Sequence, residues 1–120
     1  MGTRPDFEEL DVYRLAEKLA NEVWKMVIDW DLFSKDTLGK QLVRAADSVC
    51  ANIAEGRGRW SFKDNQRFIR IARGSLYETT CFLRLAYSRK LIDRDRIIVL
   101  KSLLDELSPK LNAYLKSLQR

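Results

Sequence analysis

Apolar residues recur along this chain at steps of three and four in four long segments, and no stretch sustains a two-residue alternation. Side chains three and four apart share one face of an α-helix, so the pattern predicts helices and no sheet. The predicted helices span about 8–30, 35–56, 61–89 and 94–118. In the first, Val12, Ala16, Leu19, Ala20, Val23, Met26, Val27 and Trp30 share a side, with Tyr13 and Trp24 at its margin. Arg14, Lys18, Asn21 and Lys25 lie opposite. That apolar arc covers about half the circumference, wider than the ~100° stripe of a simple surface helix, and predicts extra buried surface such as a subunit contact.

The second helix carries Leu38, Leu42, Ala45, Ala46, Val49, Cys50 and Ile53 on its core face. Ser34 is its expected N-cap. Gly56 and Gly58 are expected to end it by adopting the left-handed conformation. The third opens on Ser61 with Asp64 three residues later, which resembles a capping box with Asp in place of Glu. Its core stripe reads Phe68, Ala72, Leu76, Thr79, Leu83 and Ala86, with Ile71, Phe82 and Leu85 off the stripe. The fourth begins after Asp93, another N-cap, and presents Ile97, Leu100, Leu104, Leu107, Leu111, Tyr114 and Leu118. Such a seam suits packing along antiparallel neighbours. Pro109 lies within it and predicts a kink. The breaks near Leu32, Gly56 and Leu91 argue against one long two-helix coiled coil. The expected architecture is an all-α, up-down-up-down four-helix bundle in a single domain over 1–120.

Composition supports this and removes several functions. With 46% hydrophobic and 32% charged residues in 120, the chain can bury a core without metal or disulfide staples. No apolar run approaches the ~20 residues a membrane span needs, and Met1–Leu10 has no signal-peptide core, so the expected location is cytoplasmic. Cys50 and Cys81 sit in apolar helical patterns and read as small buried hydrophobes. The chain has no histidine. Common zinc sites, the usual general base, and Ser-His-Asp or Cys-His arrangements are thereby excluded. No metal, cofactor or catalytic residue is expected. The net charge of +5 and pI near 9.4 favour anionic partners.

Two stripes stand out. Gln41, Arg44, Ser48, Asn52 and Glu55, at spacings of 3, 4, 4 and 3, line the flank of the second helix. Their mix of donors and acceptors suits a hydrogen-bond network, with Ser75 and Glu78 of the third helix as partners. Arg44 and Glu55 are too far apart along the axis to pair directly. With no base, metal cluster or phosphate loop beside it, the stripe reads as a network fixing helix register or subunit contacts rather than as a catalytic site. Gly56-Arg57-Gly58-Arg59 lacks the Lys-Ser pair and preceding strand of a nucleotide-binding loop.

On the third helix, Lys63, Arg67, Arg70 and Arg73 fall on one side at spacings of 4, 3 and 3. Arg57, Arg59 and Trp60 precede them. Arginines in line can contact successive phosphates, and a tryptophan can stack on a base, so this is the candidate nucleic-acid surface. A solvated charged face is the plain alternative. These helices are too long, and their turn too wide, for a duplex-reading helix-turn-helix.

The segment from Gln41 to Arg59, with its Asn52-Ile53-Ala54-Glu55-Gly56 core, resembles the signature of the 23S rRNA-intervening sequence protein family, named for bacterial ribosomal RNA genes. Ala72-Arg73-Gly74-Ser75-Leu76-Tyr77-Glu78 matches a second family element. Members often have an aromatic-glycine pair where Asp36-Thr37 stand and a second arginine where Val43 stands. The resemblance implies a left-handed up-and-down four-helix bundle assembling into a homopentamer, with no established activity or cofactor. A distantly similar bundle, the accessory protein of diversity-generating retroelements, uses a basic pentamer to engage reverse transcriptase and nucleic acid. The wide apolar arcs fit a pentamer and equally a dimer. The resulting expectation is a non-enzymatic oligomer that binds RNA or other nucleic acid. Its competitor is a protein-interaction scaffold serving an acidic partner. An enzyme would have to be built on Glu55 and Glu78 sharing a cleft.

Overall fold

In the computed structural model, which describes residues 7–119, every regular element is a helix. Of the expected 1–120 domain, residues 1–6 and 120 lie outside the described residues. A single 3-10 turn, Phe7–Glu9, leads into α1 (Asp11–Val27). The three other long helices are α2 (Lys40–Arg57), α3 (Phe62–Ser88) and α4 (Arg94–Ser117). Each long helix packs on its neighbours in the chain, and α4 closes back on α1. Ser75 meets Ser48 across α2 and α3, and Gln66 and Arg73 of α3 reach Leu118, which caps α4, and Asn112 within it. The start of α3 therefore lies beside the ends of both α2 and α4. The molecule measures 45 × 25 × 20 Å.

The core follows the predicted faces closely. All of Val12, Ala16, Leu19, Ala20, Val23, Met26 and Val27 are buried, as are Leu38, Leu42, Ala45, Ala46, Val49 and Ile53. In α3 the stripe runs through Asn65, Ile69, Ala72, Leu76, Thr79, Leu83 and Ala86. Ile69 is fully buried where Phe68 was expected, and Phe68 is half-buried at the margin. In α4, Leu103 and Leu115 are buried, while Ile97, Leu104 and Tyr114 pack at the edge. Cys50 is half-buried and Cys81 exposed, so only Cys50 behaves as the hydrophobe the pattern suggested.

The helix ends differ from expectation in instructive ways. Ser34 is not an N-cap. Asp31 accepts from the Ser34 amide at 3.1 Å, and a helical turn, Leu32–Ser34, runs through a π-helical turn, Lys35–Gly39, into α2. Neither Gly56 nor Gly58 is left-handed: Gly56 lies inside α2, and Gly58 continues it at φ −78°. The caps at Ser61 and Asp93 are as predicted, with Ser61 Oγ accepting from the Asp64 amide at 3.0 Å and Asp93 from the Arg96 amide at 2.7 Å. α4 continues through Pro109 to Ser117.

The left-handed stop is used at Lys90 instead, where φ is 63°. The Leu91 amide donates to the Ala86 carbonyl at 2.8 Å and the Lys90 amide to the Tyr87 carbonyl at 3.0 Å. This is a Schellman ending with lysine where glycine is usual. A side chain there costs about 1 kcal/mol that glycine avoids. Lys90→Gly should therefore raise stability by about 1 kcal/mol, read as a melting midpoint about 4 °C higher. A lowered midpoint would contradict the assignment.

Candidate nucleic-acid interface

The Ser61 cap sets the phase of α3, and that phase puts Lys63, Arg67 and Arg70 on the exposed side with Arg73 half-buried beside them. Arg57 and Arg59 arrive from the end of α2, both half-buried, and Trp60 in the turn is fully exposed. All seven predicted residues thus occupy the α2–α3 corner and the outer side of α3.

They are not equally free. Arg59 donates to Glu55 Oε2 at 2.9 Å and lies 3.9 Å from Asp64 Oδ2. Arg67 pairs with Asp64 Oδ1 at 3.3 Å. Both guanidinium groups lie over the Phe68 ring, at 4.5 and 4.6 Å from its centre. Asp64 and Phe68 therefore gather two arginines into one staple across the α2–α3 turn. Exposed pairs contribute little each, and a cation over a ring about 0.5–1 kcal/mol, so the staple chiefly orients the guanidinium groups. Arg70 meets only the neutral Gln66 Oε1 at 3.3 Å, and Arg73 only Asn112 Oδ1 at 3.4 Å. Gln66 in turn donates to the Leu118 carbonyl at 2.6 Å, tying the basic side of α3 to the end of α4. Arg57 Nε is buried with no hydrogen-bond partner.

The polar stripe of α2 separates into parts. Asn52 Nδ2 donates to the Ser48 carbonyl at 2.8 Å and to Ser48 Oγ at 2.9 Å, and Ser75 Oγ donates to Ser48 Oγ at 2.9 Å. These three half-buried residues link α2 to α3. Gln41 and Arg44 are exposed and line a shallow depression with Ala45, Ser48, Glu78 and Phe82. Glu55 does not line that depression; it belongs to the arginine staple. Removing the Asn52 amide leaves Ser48 short of a partner at the α2–α3 contact. Asn52→Ala should lower stability by about 1 kcal/mol or shift the oligomer mass. Unchanged melting and unchanged sedimentation would refute a structural role.

Burial pushes the Cys50 thiol up, away from the reactive thiolate, with the nearby Asp47 charge adding to the effect. Burial also raises the Asp47 carboxyl. Tyr13 is pushed up to about 12 by burial and by the hydrogen bond its hydroxyl donates to Glu17 at 3.0 Å. Among the described residues no group of three or more Cys, Asp or Glu could hold a metal ion. No helix among them is long and apolar enough to cross a membrane.

Sequence reasoning missed two features. One is the reach of Arg59 across the turn to Asp64 and the Phe68 ring, where no periodic signal operates; the spacing of three between Asp64 and Arg67 was visible in the sequence. The other is Asn65, which is 94% buried by its 6% exposure. Its spacing of four from Ile69 and seven from Ala72 was a signal that it belongs to the core stripe.

The family model described as 23S rRNA-intervening sequence protein matches residues 8–113. The chain belongs to that family. Among solved structures it is similar to a protein of unknown function from the S23 ribosomal protein family of Bacteroides thetaiotaomicron VPI-5482, with a TM-score of 0.78 and 22% identity. That likeness covers 88% of this chain and 98% of the other, and it concerns the fold alone. No curated protein matches. The four-helix, all-α architecture described above is thus shared with that structural neighbour.

Proposed function

We propose that this member of the 23S rRNA-intervening sequence protein family is a non-enzymatic, cytoplasmic oligomer that binds RNA or other nucleic acid through the α2–α3 corner. The observation that carries the reading is the run of Arg57, Arg59, Lys63, Arg67, Arg70 and Arg73 from the corner at fully exposed Trp60 along α3, with Glu55 and Asp64 as their acidic partners among the described residues. Cations in line neutralise successive phosphates, and an exposed indole stacks on an unpaired base. The registers between neighbouring helices support an up-and-down bundle, and the family resemblance implies a left-handed one that assembles into a homopentamer. Five basic corners on one particle would let weak contacts act together.

Binding of the native protein to structured RNA, titrated against salt, tests this. Affinity falling steeply with salt is expected; no binding even at low salt removes the reading.

A scaffold for an acidic protein partner is the second reading, favoured by the large apolar side chains left exposed. Purification from the native host followed by nuclease treatment separates the two. Partners lost with nuclease support nucleic-acid binding, and partners that survive support the scaffold.

A further inference from the structure

Two of the apolar faces left exposed by the chain's own packing differ in shape. One protrudes. Trp24 and Ile28, one turn apart at the end of α1, are 55% and 48% exposed, and Leu32 and Phe33 in the following connection are 71% and 76% exposed. The other is concave. A cleft of about 420 Å³ lies between α3 and α4, with Leu76, Leu83, Ile97 and Leu104 on its walls and Tyr77 and Tyr87 also lining it. Pockets of this size accommodate large apolar groups.

Their surroundings carry opposite charge. The stretch 28–36 holds Asp29, Asp31 and Asp36 against Lys35. The stretch 84–96, which forms one end of the cleft and the turn beyond it, holds Arg84, Arg89, Lys90, Arg94 and Arg96 against Asp93 and Asp95. Lys40 and Arg44 flank this protruding face on its α2 side, while Asp29 and Asp31 are exposed in the connection that carries Leu32 and Phe33.

Position also fits. The end of α1 lies against the start of the helical stretch leading to α2, where a side chain at Gly39 would meet Val27. From there α2 runs to Gly56 beside Asn65, and α3 returns. The connection 28–39 and the turn 89–93 therefore share one end of the bundle. Because the packing order is α1, α2, α3, α4 and back to α1, the α1–α2 side faces away from the α3–α4 side. One copy can offer its protruding edge to the next while its own cleft stays open to a third.

We propose that the α3–α4 cleft receives the Trp24–Phe33 edge of a second copy of this chain. Two unlike patches join head to tail, and such contacts continue until a ring closes. Aromatic anchors seated in a pocket, with complementary charges at the rim, are the arrangement that usually dominates an interface. The cleft begins at Leu76, and the basic residues Lys63, Arg67, Arg70 and Arg73 are not among those that line it. The proposal rests on the oligomer reading above and names its interface.

The test uses two surface variants of the full chain. Leu32→Asp with Phe33→Asp spoils the protruding edge; Tyr77→Asp with Tyr87→Asp spoils the cleft. All four positions are exposed, and circular dichroism checks that each variant folds. Should either fail to fold, Trp24→Ser and Tyr87→Asp alone replace the pairs. Sedimentation of the native chain at tens of micromolar should give a multiple of the chain mass, and each variant alone should be a monomer. Mixed one to one, the two variants should form a heterodimer and nothing larger, because each keeps one intact face. Variants that keep the native mass, or a mixture that stays monomeric, overturn the proposal. A monomeric native chain instead overturns the oligomer reading on which it rests.

Discussion

Replacing Gly56 with leucine should destabilise the fold by about 3 kcal/mol, lowering the melting midpoint by roughly 12 °C in a chain of this size. A Cβ on Gly56 would lie 2.5 Å from Asn65 Oδ1, 3.1 Å from Phe68 Cβ and 3.2 Å from the Asn65 carbonyl oxygen. The first contact is to a side chain, but Asn65 is buried and has little room to turn. The other two involve backbone or its nearest carbon, so relief requires α2 and α3 to move apart. Even Gly56→Ala should lose about 1–2 kcal/mol, although alanine favours a helix by about 1 kcal/mol over glycine. Gly74 supplies the contrast. It also lies inside a helix, yet a Cβ there meets nothing within 4 Å. Gly74→Ala should accordingly stabilise the chain by about 0.5–1 kcal/mol. Denaturant unfolding of both variants decides the matter. A Gly56→Leu protein melting within about 2 °C of the native chain would show that the helices do not approach this closely.

The two glycines also show where sequence reasoning stops. Periodicity located Gly56 beside a helix boundary, and the ordinary use of glycine there is a left-handed stop. Here its use is steric, and only the partner helix reveals that. The true left-handed residue is Lys90, which carries no compositional sign of the role. The π-helical turn at Lys35–Gly39 was equally hidden, because one widened turn barely disturbs the spacing in so short a window. By contrast, the core faces of α1 and α2 were legible almost residue by residue. In α4 the ambiguity arose where two leucines are adjacent: period alone favours neither Leu103 nor Leu104, and packing buried the first.

The basic corner was legible as composition but not as geometry. Spacing placed Lys63, Arg67, Arg70 and Arg73 together. It could not show that Arg59 and Arg67 share Asp64 and the Phe68 ring. That contact changes which residues best report on binding. A charge reversal at Arg67 would set Glu beside Asp64 and remove a guanidinium from Phe68, mixing lost binding with lost packing. Lys63 and Arg70 are exposed, and Arg70 has only a neutral partner.

Lys63→Glu with Arg70→Glu should therefore weaken RNA binding by about 100-fold near 0.1 M salt while leaving the melting midpoint nearly unchanged. Each lost phosphate contact removes about 0.7–0.9 from the slope of log affinity against log salt, so the slope should flatten by roughly 1.5. Lys18→Glu is the matched control for single Arg70→Glu. It changes the chain charge equally on the exposed side of α1, and at physiological salt its effect on a distant phosphate is screened. It should cost less than about threefold, against about tenfold for Arg70→Glu. Equal losses from the two single variants would mean that binding follows net charge and has no dedicated surface. An unchanged affinity and salt slope in the double variant would take the α2–α3 corner out of the binding reaction altogether. The slope is the sharper readout, because a loss of packing lowers affinity without changing the number of ions released.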